Sequence, residues 1–214
     1  RGLRVGLLDA DVYGPNVPRM MGITGQPETS PAGKILPLEN YGVRVMSLGF
    51  FVTADTPVIW RGPLVGKLIE QFITDVDWGE LDRLIIDLPP GTGDAQLSLT
   101  QLLPLDGAVI VSTPQRVALE DAIKGLAMFQ KVNVPIAGVV ENMSYFVCPH
   151  CGERTDIFDT GKAAVECARI GVPFLGAIPL DPAIRQGGDD GLPAIMAAPN
   201  SPQAKAFHEL AARL

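Results

Sequence analysis

The sequence of 214 residues has little cysteine and no excess of positive charge, and each shortage excludes a class of protein. Three cysteines, two of them in a CxxC motif, cannot build a disulfide framework, and no secretory leader is visible. We therefore expect a reducing compartment and predict a cytoplasmic location. With 17 basic and 24 acidic residues, the net charge of -7 provides no basic surface for a phosphate backbone, so nucleic acid is not an expected partner.

Long hydrophobic runs are also lacking. The longest apolar stretches, such as GAVIV and RLIID, have the length of strands and fall far short of the ~20 residues that cross a bilayer. We therefore expect no transmembrane helix and no membrane partner. Because hydrophobic residues make up 47% of the chain, it can bury one substantial core, and we predict a single domain over residues 1–214.

Short apolar runs and amphipathic patterns alternate along the chain. The runs lie at residues 3–8, 84–86, 108–111, 136–140 and 174–178, and helical spacing of apolar residues covers 62–73, 116–132 and 201–214. This alternation predicts an α/β fold with a doubly wound, mostly parallel sheet and helices on both faces. The tripeptide Asn40-Tyr41-Gly42 separates two short apolar stretches and predicts a β-hairpin or a pair of edge strands.

Polar residues follow two of the predicted strands, at the edge where α/β proteins bind ligands. Asp9 and Asp11 close the segment LLDADVYGPN, and Asp87 closes LIIDLPPGTGD. The latter fits a Walker B carboxylate, which orients Mg²⁺, while the backbone N–H groups around Gly91 and Thr92 suit a γ-phosphate. A lone aspartate at a strand end would more often cap a turn, but the DLPPGTGD context favours a nucleotide site.

A Walker A loop, GxxxxGK[ST], is missing. The nearest imitation, GPLVGKL at residues 62–68, has one residue too few between its glycines and a leucine where a hydroxyl should bind Mg²⁺. We interpret Gly62 and Pro63 as the start of a helix that carries Lys67 on its solvated face.

The longer motifs resemble successive signatures of the Mrp/ApbC family, which comprises MinD/ParA-like P-loop ATPases that act as iron–sulfur cluster carriers. The resemblance covers essentially the whole chain. The family's Walker A loop, similar to KGGVGKS, lies upstream of the LLDAD strand, so the resemblance implies an N-terminally truncated P-loop NTPase. The motifs are GLLDADVYGPNVPRMMG, VIWRGP, DWGELDRLIIDLPPGTGD, STPQ, ENMSYFVCPHCGERTDIF and GVPFLGAIPLDPAIRQGGDDG.

The resemblance implies roles for three carboxylates and two cofactors, ATP and Mg²⁺. Asp11 occupies the switch I position that polarises the attacking water, Asp9 supports the same loop, and Asp87 is the Walker B carboxylate. Without the upstream loop, the chain by itself is expected to be inactive as an ATPase.

The resemblance also implies a base-binding region. Asn142 matches the position that recognises adenine, and the segment from Pro179 to Asp181 resembles the loop that lies against the base. Judged without the family, Asn142 would more often be a turn residue at a strand end.

The segment VCPHCG places Cys148 and Cys151 in a metal-binding loop around residues 147–155, although a metal centre normally takes four ligands. Cys167 falls in the helical pattern KAAVECARI, where we expect a buried structural cysteine. A twofold dimer in which each chain contributes its CxxC is the simplest way to supply four thiolates. His150 as a local third ligand and a catalytic redox CxxC remain as alternatives.

Together these observations predict an iron–sulfur cluster carrier and ATPase. The homodimer would bind a cluster, of [4Fe–4S] type, at the bridging CxxC pairs and transfer it to apo iron–sulfur proteins, with cluster scaffold proteins as further partners. Zinc could substitute for the cluster. Two other functions stay open: a MinD/ParA-like positioning or regulatory switch, and a zinc-stabilised dimeric scaffold without turnover.

Overall fold

The computed structural model describes residues 2–51, 62–91, 93–159 and 161–214. The chain divides into two compact units. Unit 1 comprises Arg1–Leu103 and Gly188–Leu192, and unit 2 comprises Pro104–Gly187 and Pro193–Leu214. The single domain over residues 1–214 stays a prediction.

Unit 1 is built on a four-stranded sheet in the order β2-β3-β1-β4, in which β1 runs parallel to both of its neighbours. Leu8, Val45 and Met46 from the central strands are fully buried, as is Ile69 of the helix that follows β3. The described elements are β1 (Val5–Asp9), α1 (Val17–Met20), β2 (Leu38–Asn40), β3 (Val43–Ser47), a 3₁₀ turn (Leu48–Phe50), α2 (Gly62–Thr74), β4 (Arg83–Asp87) and α3 (Asp94–Leu102).

The predicted hairpin is confirmed. Strands β2 and β3 pair antiparallel, and the two residues between them, Tyr41 and Gly42, have φ angles of 53° and 72°. Two successive positive φ angles are typical of a type I′ turn, whose twist matches that of the flanking strands. The segment GPLVGKL, which imitates a Walker A loop, is helical as predicted. Helix α2 begins at Gly62, and Lys67 is exposed on it.

Unit 2 contains a three-stranded parallel sheet in the order β5-β6-β9 and a small antiparallel pair, β7 and β8. Val140, Leu175 and Ile178 form a buried cluster against which Phe207 and Leu210 of the last helix pack. The elements are β5 (Ala108–Ser112), α4 (Arg116–Lys131), β6 (Ile136–Glu141), β7 (Phe146–Val147), β8 (Arg154–Thr155), α5 (Lys162–Ile170), β9 (Phe174–Ala177), α6 (Pro182–Asp190), α7 (Ala194–Ala197) and α8 (Pro202–Arg213).

The mixed α/β class with mostly parallel strands is confirmed, but two strands are less buried than their sequences predict. Ile85 of β4 is 50% exposed, and Val111 of β5 is 60% exposed. Among the described residues, β4 pairs only with β1 and β5 only with β6, so each strand ends its own sheet. No helix in the described ranges is both long and apolar enough to span a bilayer.

The sheet of unit 2 requires a glycine on its central strand. Gly138 has a φ angle of +153°, and a Cβ atom at this position would lie 2.5 Å from Cγ of Leu175 and 2.9 Å from the Pro173 carbonyl oxygen. Neither the buried leucine nor the backbone can move away cheaply, because both belong to the neighbouring strand region. Strands β6 and β9 therefore approach each other at a distance that only glycine permits.

We expect Gly138→Ala to lower the free energy of unfolding by about 2 to 4 kcal/mol, since overpacking and backbone strain act together. Gly125→Ala is the matched control, because Gly125 lies within α4 and an added Cβ would meet nothing within 4 Å. This control should raise stability by about 0.5 to 1 kcal/mol through its better helix propensity. Urea unfolding followed by circular dichroism measures both, and equal effects of the two substitutions would contradict the close approach.

Candidate functional site

The parallel register of unit 1 brings the predicted carboxylates of two strands side by side. Asp9 at the end of β1 is the Cα partner of Asp87 at the end of β4, and on its other side it pairs with Ser47 of β3. The backbone N–H of Ala10 then donates to the Asp87 carbonyl oxygen at 2.8 Å. Three polar residues therefore lie in a row at the carboxyl edge of this sheet, where α/β proteins bind ligands.

Asp9 organises the loop that follows β1. Asp9 is only 1% exposed. Its Oδ2 accepts hydrogen bonds from Ser47 Oγ at 2.8 Å and from the Val17 N–H at 3.3 Å. Its Oδ1 accepts from the Asp11 N–H at 3.2 Å. Both oxygens of Asp9 thus accept hydrogen bonds that stabilise the loop, and Asp11 is the more accessible carboxylate of the pair.

Asp11 closes a tight turn of its own. Its Oδ1 accepts from the N–H groups of Tyr13 and Gly14, at 3.1 and 3.3 Å. These hydrogen bonds form an Asx-turn, in which the backbone N–H groups fix the orientation of the carboxylate. The arrangement fits a loop that presents one carboxylate oxygen outward, and the catalytic role of Asp11 stays a prediction.

The electrostatics of this edge favour a bound cation. Burial raises the pKa of Asp9 above its ordinary value, against the opposing hydrogen bonds from Ser47 and the backbone. Loss of water also raises the pKa of Asp87, and the charge of Asp11 adds to the increase. A divalent ion with oxygen ligands would relieve this repulsion, so Asp87 and its neighbours fit the chemistry of a Mg²⁺ site.

The loop after β4 is held by a side chain that the sequence motifs did not single out. Nε2 of Gln96, a residue that is 3% exposed, donates to the carbonyl oxygens of Pro89 at 2.7 Å and Gly91 at 3.0 Å. Gly91 has a φ angle of +98°, which only glycine adopts readily. Oε1 of Gln96 is buried and finds no hydrogen-bond donor among the described residues. Thr92, the other predicted phosphate contact, lies outside the described residues.

The predicted base-binding residues lie in unit 2, at the carboxyl ends of β6 and β9. The N–H of Asn142 donates to the Ser112 carbonyl oxygen at 2.7 Å, and its Oδ1 accepts from the Met143 N–H at 2.9 Å. Pro179 is buried. Both oxygens of Asp181 serve the fold, because Oδ1 accepts from the Ala183 N–H at 2.7 Å and Oδ2 accepts from Gln203. Contact of these residues with a base stays a prediction.

The cysteine pair lies at the tip of a β-hairpin, which we call the cysteine hairpin and define as residues 146–155. Strands β7 and β8 form its stem. At its tip the Cys148 N–H donates to the Glu153 carbonyl oxygen at 2.9 Å, and the Gly152 N–H donates back to the Cys148 carbonyl oxygen at 2.8 Å. The predicted loop is therefore an ordered turn, on which Cys151 is exposed and Cys148 is half-buried.

The turn lowers the pKa of one of its two thiols. The backbone N–H of Cys151, that of His150 and the Cys151 side chain lower the pKa of the Cys148 thiol, in that order of importance. A thiolate is the form that binds metal. By contrast, burial raises the pKa of Cys167, which lies inside α5 as predicted and is 3% exposed.

Within the described residues, one chain does not bring together the ligands of a complete metal centre. In the part of the chain that the structure describes, no three His, Cys, Asp or Glu side chains form a group that could hold a metal ion. His150 therefore does not complete a site with Cys148 and Cys151 in the single chain. In the described part of the chain, the turn therefore offers the two thiols of Cys148 and Cys151 and no third ligand.

Three polar residues of the two sites were not predicted: Ser47, Gln96 and Glu141. Ser47 and Glu141 end strands β3 and β6, so the search for polar residues after apolar runs could have found them. Gln96 lies within α3, and its contact with the preceding loop has no signal in the pattern. All three act through contacts with the loops that carry the predicted residues.

A pH-dependent test follows from the electrostatics of unit 1. Because Asp87 holds its proton more tightly in the folded protein, ionisation of this group costs stability as pH rises from about 4 through its raised pKa. Asp87→Asn should therefore be slightly more stable than the wild type at pH 7, since Asp87 is exposed and water weakens the effect, and the difference should vanish below about pH 4. Asp106→Asn, at an exposed site before β5, is the control. A less stable Asp87→Asn variant at pH 7 would contradict the assigned cause.

Similar proteins agree with this picture. An iron–sulfur protein required for NADH dehydrogenase from Arabidopsis thaliana is 53% identical over 98% of this chain and 67% of its own length. An iron–sulfur cluster carrier protein from Synechocystis is 50% identical over 100% of this chain and 62% of its own length. Eight curated relatives at 44–53% identity are each covered over 57–68% of their own length by this chain.

Solved structures show the same fold. A nucleotide-binding protein from Archaeoglobus fulgidus, in complex with ADP and with cobalt found in it, superposes with a TM-score of 0.76 at 39% identity, over 89% of this chain and 74% of that one. The cell division ATPase MinD of Pyrococcus furiosus gives a TM-score of 0.71 at 26% identity, over 100% and 86%. These likenesses confirm the predicted resemblance to Mrp-type carriers on a MinD/ParA-like fold. A family model described as ParA, NUBPL iron-transfer P-loop NTPase, matches residues 1–214, and the chain therefore belongs to that family.

Proposed function

We propose that this chain is part of an iron–sulfur cluster carrier that binds its cluster through Cys148 and Cys151 and transfers it to apo iron–sulfur proteins. The observation that carries the proposal is the cysteine hairpin, whose turn holds the exposed Cys151 beside the half-buried Cys148 and lowers the pKa of the Cys148 thiol. Relatives that share about half of the sequence are named iron–sulfur cluster carrier or transfer proteins. Exposed thiolates suit a cargo that must be handed on.

The cluster would bridge two copies of the chain. One copy offers two suitable thiols, whereas iron–sulfur clusters take four, and a twofold axis through the hairpin tips would bring four together. We propose a [4Fe–4S] cluster as cargo, cluster scaffold proteins as donors and a homodimer as the working state. The cysteine usage favours a reducing compartment, and we propose the cytoplasm.

Nucleotide binding and ATP hydrolysis belong to the same proposal. Asp87 would hold Mg²⁺, Asp11 would orient the attacking water, and Gly91 and Thr92 would lie near the γ-phosphate, with Asn142 and the segment from Pro179 to Asp181 at the base. Bound Mg²⁺ would supply charge stabilisation at the phosphates. Among the described residues β4 pairs only with β1 and its Ile85 is 50% exposed, so the other edge of β4 could accept one more parallel strand, as the strand before a phosphate-binding loop would be.

The two other functions account for less of the sequence. A MinD/ParA-like positioning switch would use Asp11 and Asp87 and has no need for the cysteine hairpin. A zinc-stabilised scaffold would use the hairpin and has no need for desolvated carboxylates at the carboxyl edge of unit 1. The carrier proposal requires both features.

The first test is the metal content of protein purified without oxygen. We expect iron and acid-labile sulfide that require both Cys148 and Cys151, so that alanine at either position abolishes the cluster and weakens the dimer. Cys167→Ala is the control, since that thiol is buried in α5, and it should keep both the metal and the dimer.

Two results would count against the proposal. Zinc without iron or sulfide in the anaerobic protein would favour the scaffold. A strictly monomeric protein that kept stoichiometric metal after loss of Cys148 would exclude the bridging arrangement.

The second test concerns hydrolysis. The chain alone should hydrolyse ATP negligibly, because phosphate binding in P-loop enzymes depends on backbone N–H groups and a lysine that these residues do not provide. With a KGGVGKS-like segment and its strand restored upstream, activity should appear, and Asp11→Ala or Asp87→Ala should then reduce kcat by about 100-fold or more. Robust turnover by the chain alone, unchanged by both substitutions, would refute the assignment.

A further inference from the structure

The base of the loop that carries the cysteine hairpin is closed by a buried carboxylate. Glu141, the last residue of β6, is 1% exposed. Its Oε1 accepts a hydrogen bond from Ser144 Oγ at 2.6 Å and one from the Gly161 N–H at 3.2 Å, while its Oε2 accepts from the Ala163 N–H at 3.0 Å. The carboxylate therefore contacts both ends of the loop, where the chain leaves the sheet and where it returns.

The returning end needs this contact. Helix α5 begins after Gly161, which has a φ angle of +74° and no side chain to cap the helix. The first N–H groups of a helix have no partner within it, and they carry partial positive charge. Glu141 supplies the cap from a position twenty residues earlier in the chain. Two N–H donors and one hydroxyl offset the cost of burying the carboxylate.

The leaving end is tied to the next strand by the backbone. The Ile178 N–H donates to the Glu141 carbonyl oxygen at 2.9 Å, and the Ser144 N–H donates to the Ile178 carbonyl oxygen at 2.9 Å. The Leu180 N–H then donates to the Tyr145 carbonyl oxygen at 2.7 Å. The guanidinium of Arg154, on strand β8, lies 4.1 Å from the centre of the Tyr145 ring. The stem of the hairpin is thus braced against the base that Glu141 closes.

We propose that Glu141 is the positioning residue of the metal site: its carboxylate closes the base of the loop and so presents Cys148 and Cys151 in the geometry that binds metal. Glu141 does not touch the metal. The proposal rests on the proposed function of the cysteine pair. It adds a residue whose loss should weaken metal binding while the thiols remain in place.

A carboxylate is required for chemical reasons. Glu141 accepts hydrogen bonds on both oxygens, and each of its partners in these bonds is a donor. A glutamine has one acceptor oxygen, and its NH₂ group would point a donor at another donor. We call the hydrogen bonds of Glu141 to Ser144, Gly161 and Ala163 the clamp. Glu141→Gln keeps the size of the side chain and removes part of this clamp, so it tests the clamp with little change in packing.

The experiment is a titration with Co²⁺, whose thiolate charge-transfer absorption reports cysteine ligands, on the full chain with its cysteines reduced. Glu141→Gln should weaken Co²⁺ binding about tenfold or more, in the range found for residues that orient metal ligands. Ser144→Ala, which removes one bond of the clamp, should weaken binding about threefold. Both variants should also change the absorption spectrum, because the thiolates adopt a different geometry around the ion.

Two controls separate positioning from general stability. Glu166→Gln makes the same chemical change on α5, at a residue that pairs with exposed Arg169, and should bind Co²⁺ as the wild type does. Leu126→Ala removes a buried side chain from α4 and should lower stability without changing the Co²⁺ affinity of the folded protein.

Each outcome decides between the two proposals. If the wild type shows no thiolate absorption, or keeps it after Cys148→Ala, the proposed function and the positioning role both fail. If the wild type binds through its cysteines and Glu141→Gln binds within twofold of it with the same spectrum, the positioning role alone is wrong. If Glu141→Gln does not fold, Ser144→Ala decides, and binding equal to that of the Glu166→Gln control would overturn the proposal.

Discussion

The carboxylate of Glu141 joins the end of a central strand to the first turn of a helix, and the loop that carries the cysteine hairpin of unit 2 starts and ends at that connection. The hairpin strands β7 and β8 have two residues each, and a stem of that size is not stable by itself in water. Its order must come from the parallel sheet beneath it. A loop that starts and ends on the same buried group gains that order at a low cost in chain entropy, because its ends are fixed together.

The carboxylates of the two units have different environments. In unit 2, Glu141 is satisfied by protein donors, so its charge is a structural element. In unit 1, desolvation raises the pKa values of Asp9 and Asp87, and the charge of Asp87 contributes to the increase for Asp9. Carboxylates with raised pKa values are typical of sites that bind a charged ligand.

The three cysteines illustrate how the fold sorts one residue type into two kinds of chemistry. Cys148 and Cys151 share a turn whose N–H groups lower the pKa of the Cys148 thiol, whereas burial in α5 raises the pKa of Cys167. A thiolate on an exposed turn can bind a metal and release it to another protein. A buried thiol behaves as a small apolar side chain.

Local pattern was enough to predict much of the protein. Strand-length apolar runs, amphipathic helices and the turn at Tyr41 and Gly42 each depend on residues close together in sequence, and their elements occur within a few residues of the predicted positions. The spacing of Cys148 and Cys151 likewise determined by itself that a metal-binding turn was possible. These features depend on periods of 2 and 3.6 residues and on short-range turn geometry.

What only the tertiary structure decided are the contacts between residues far apart in sequence. The strand order and register place Asp9 between Ser47 and Asp87, and neither neighbour follows from the LLDAD motif. The clamp from Glu141 to Ala163 spans twenty-two residues. The sequence determined which side chains and local conformations were available. The pairing of strands determined which of them meet, because register is set by contacts along the whole length of neighbouring strands and not by any local pattern.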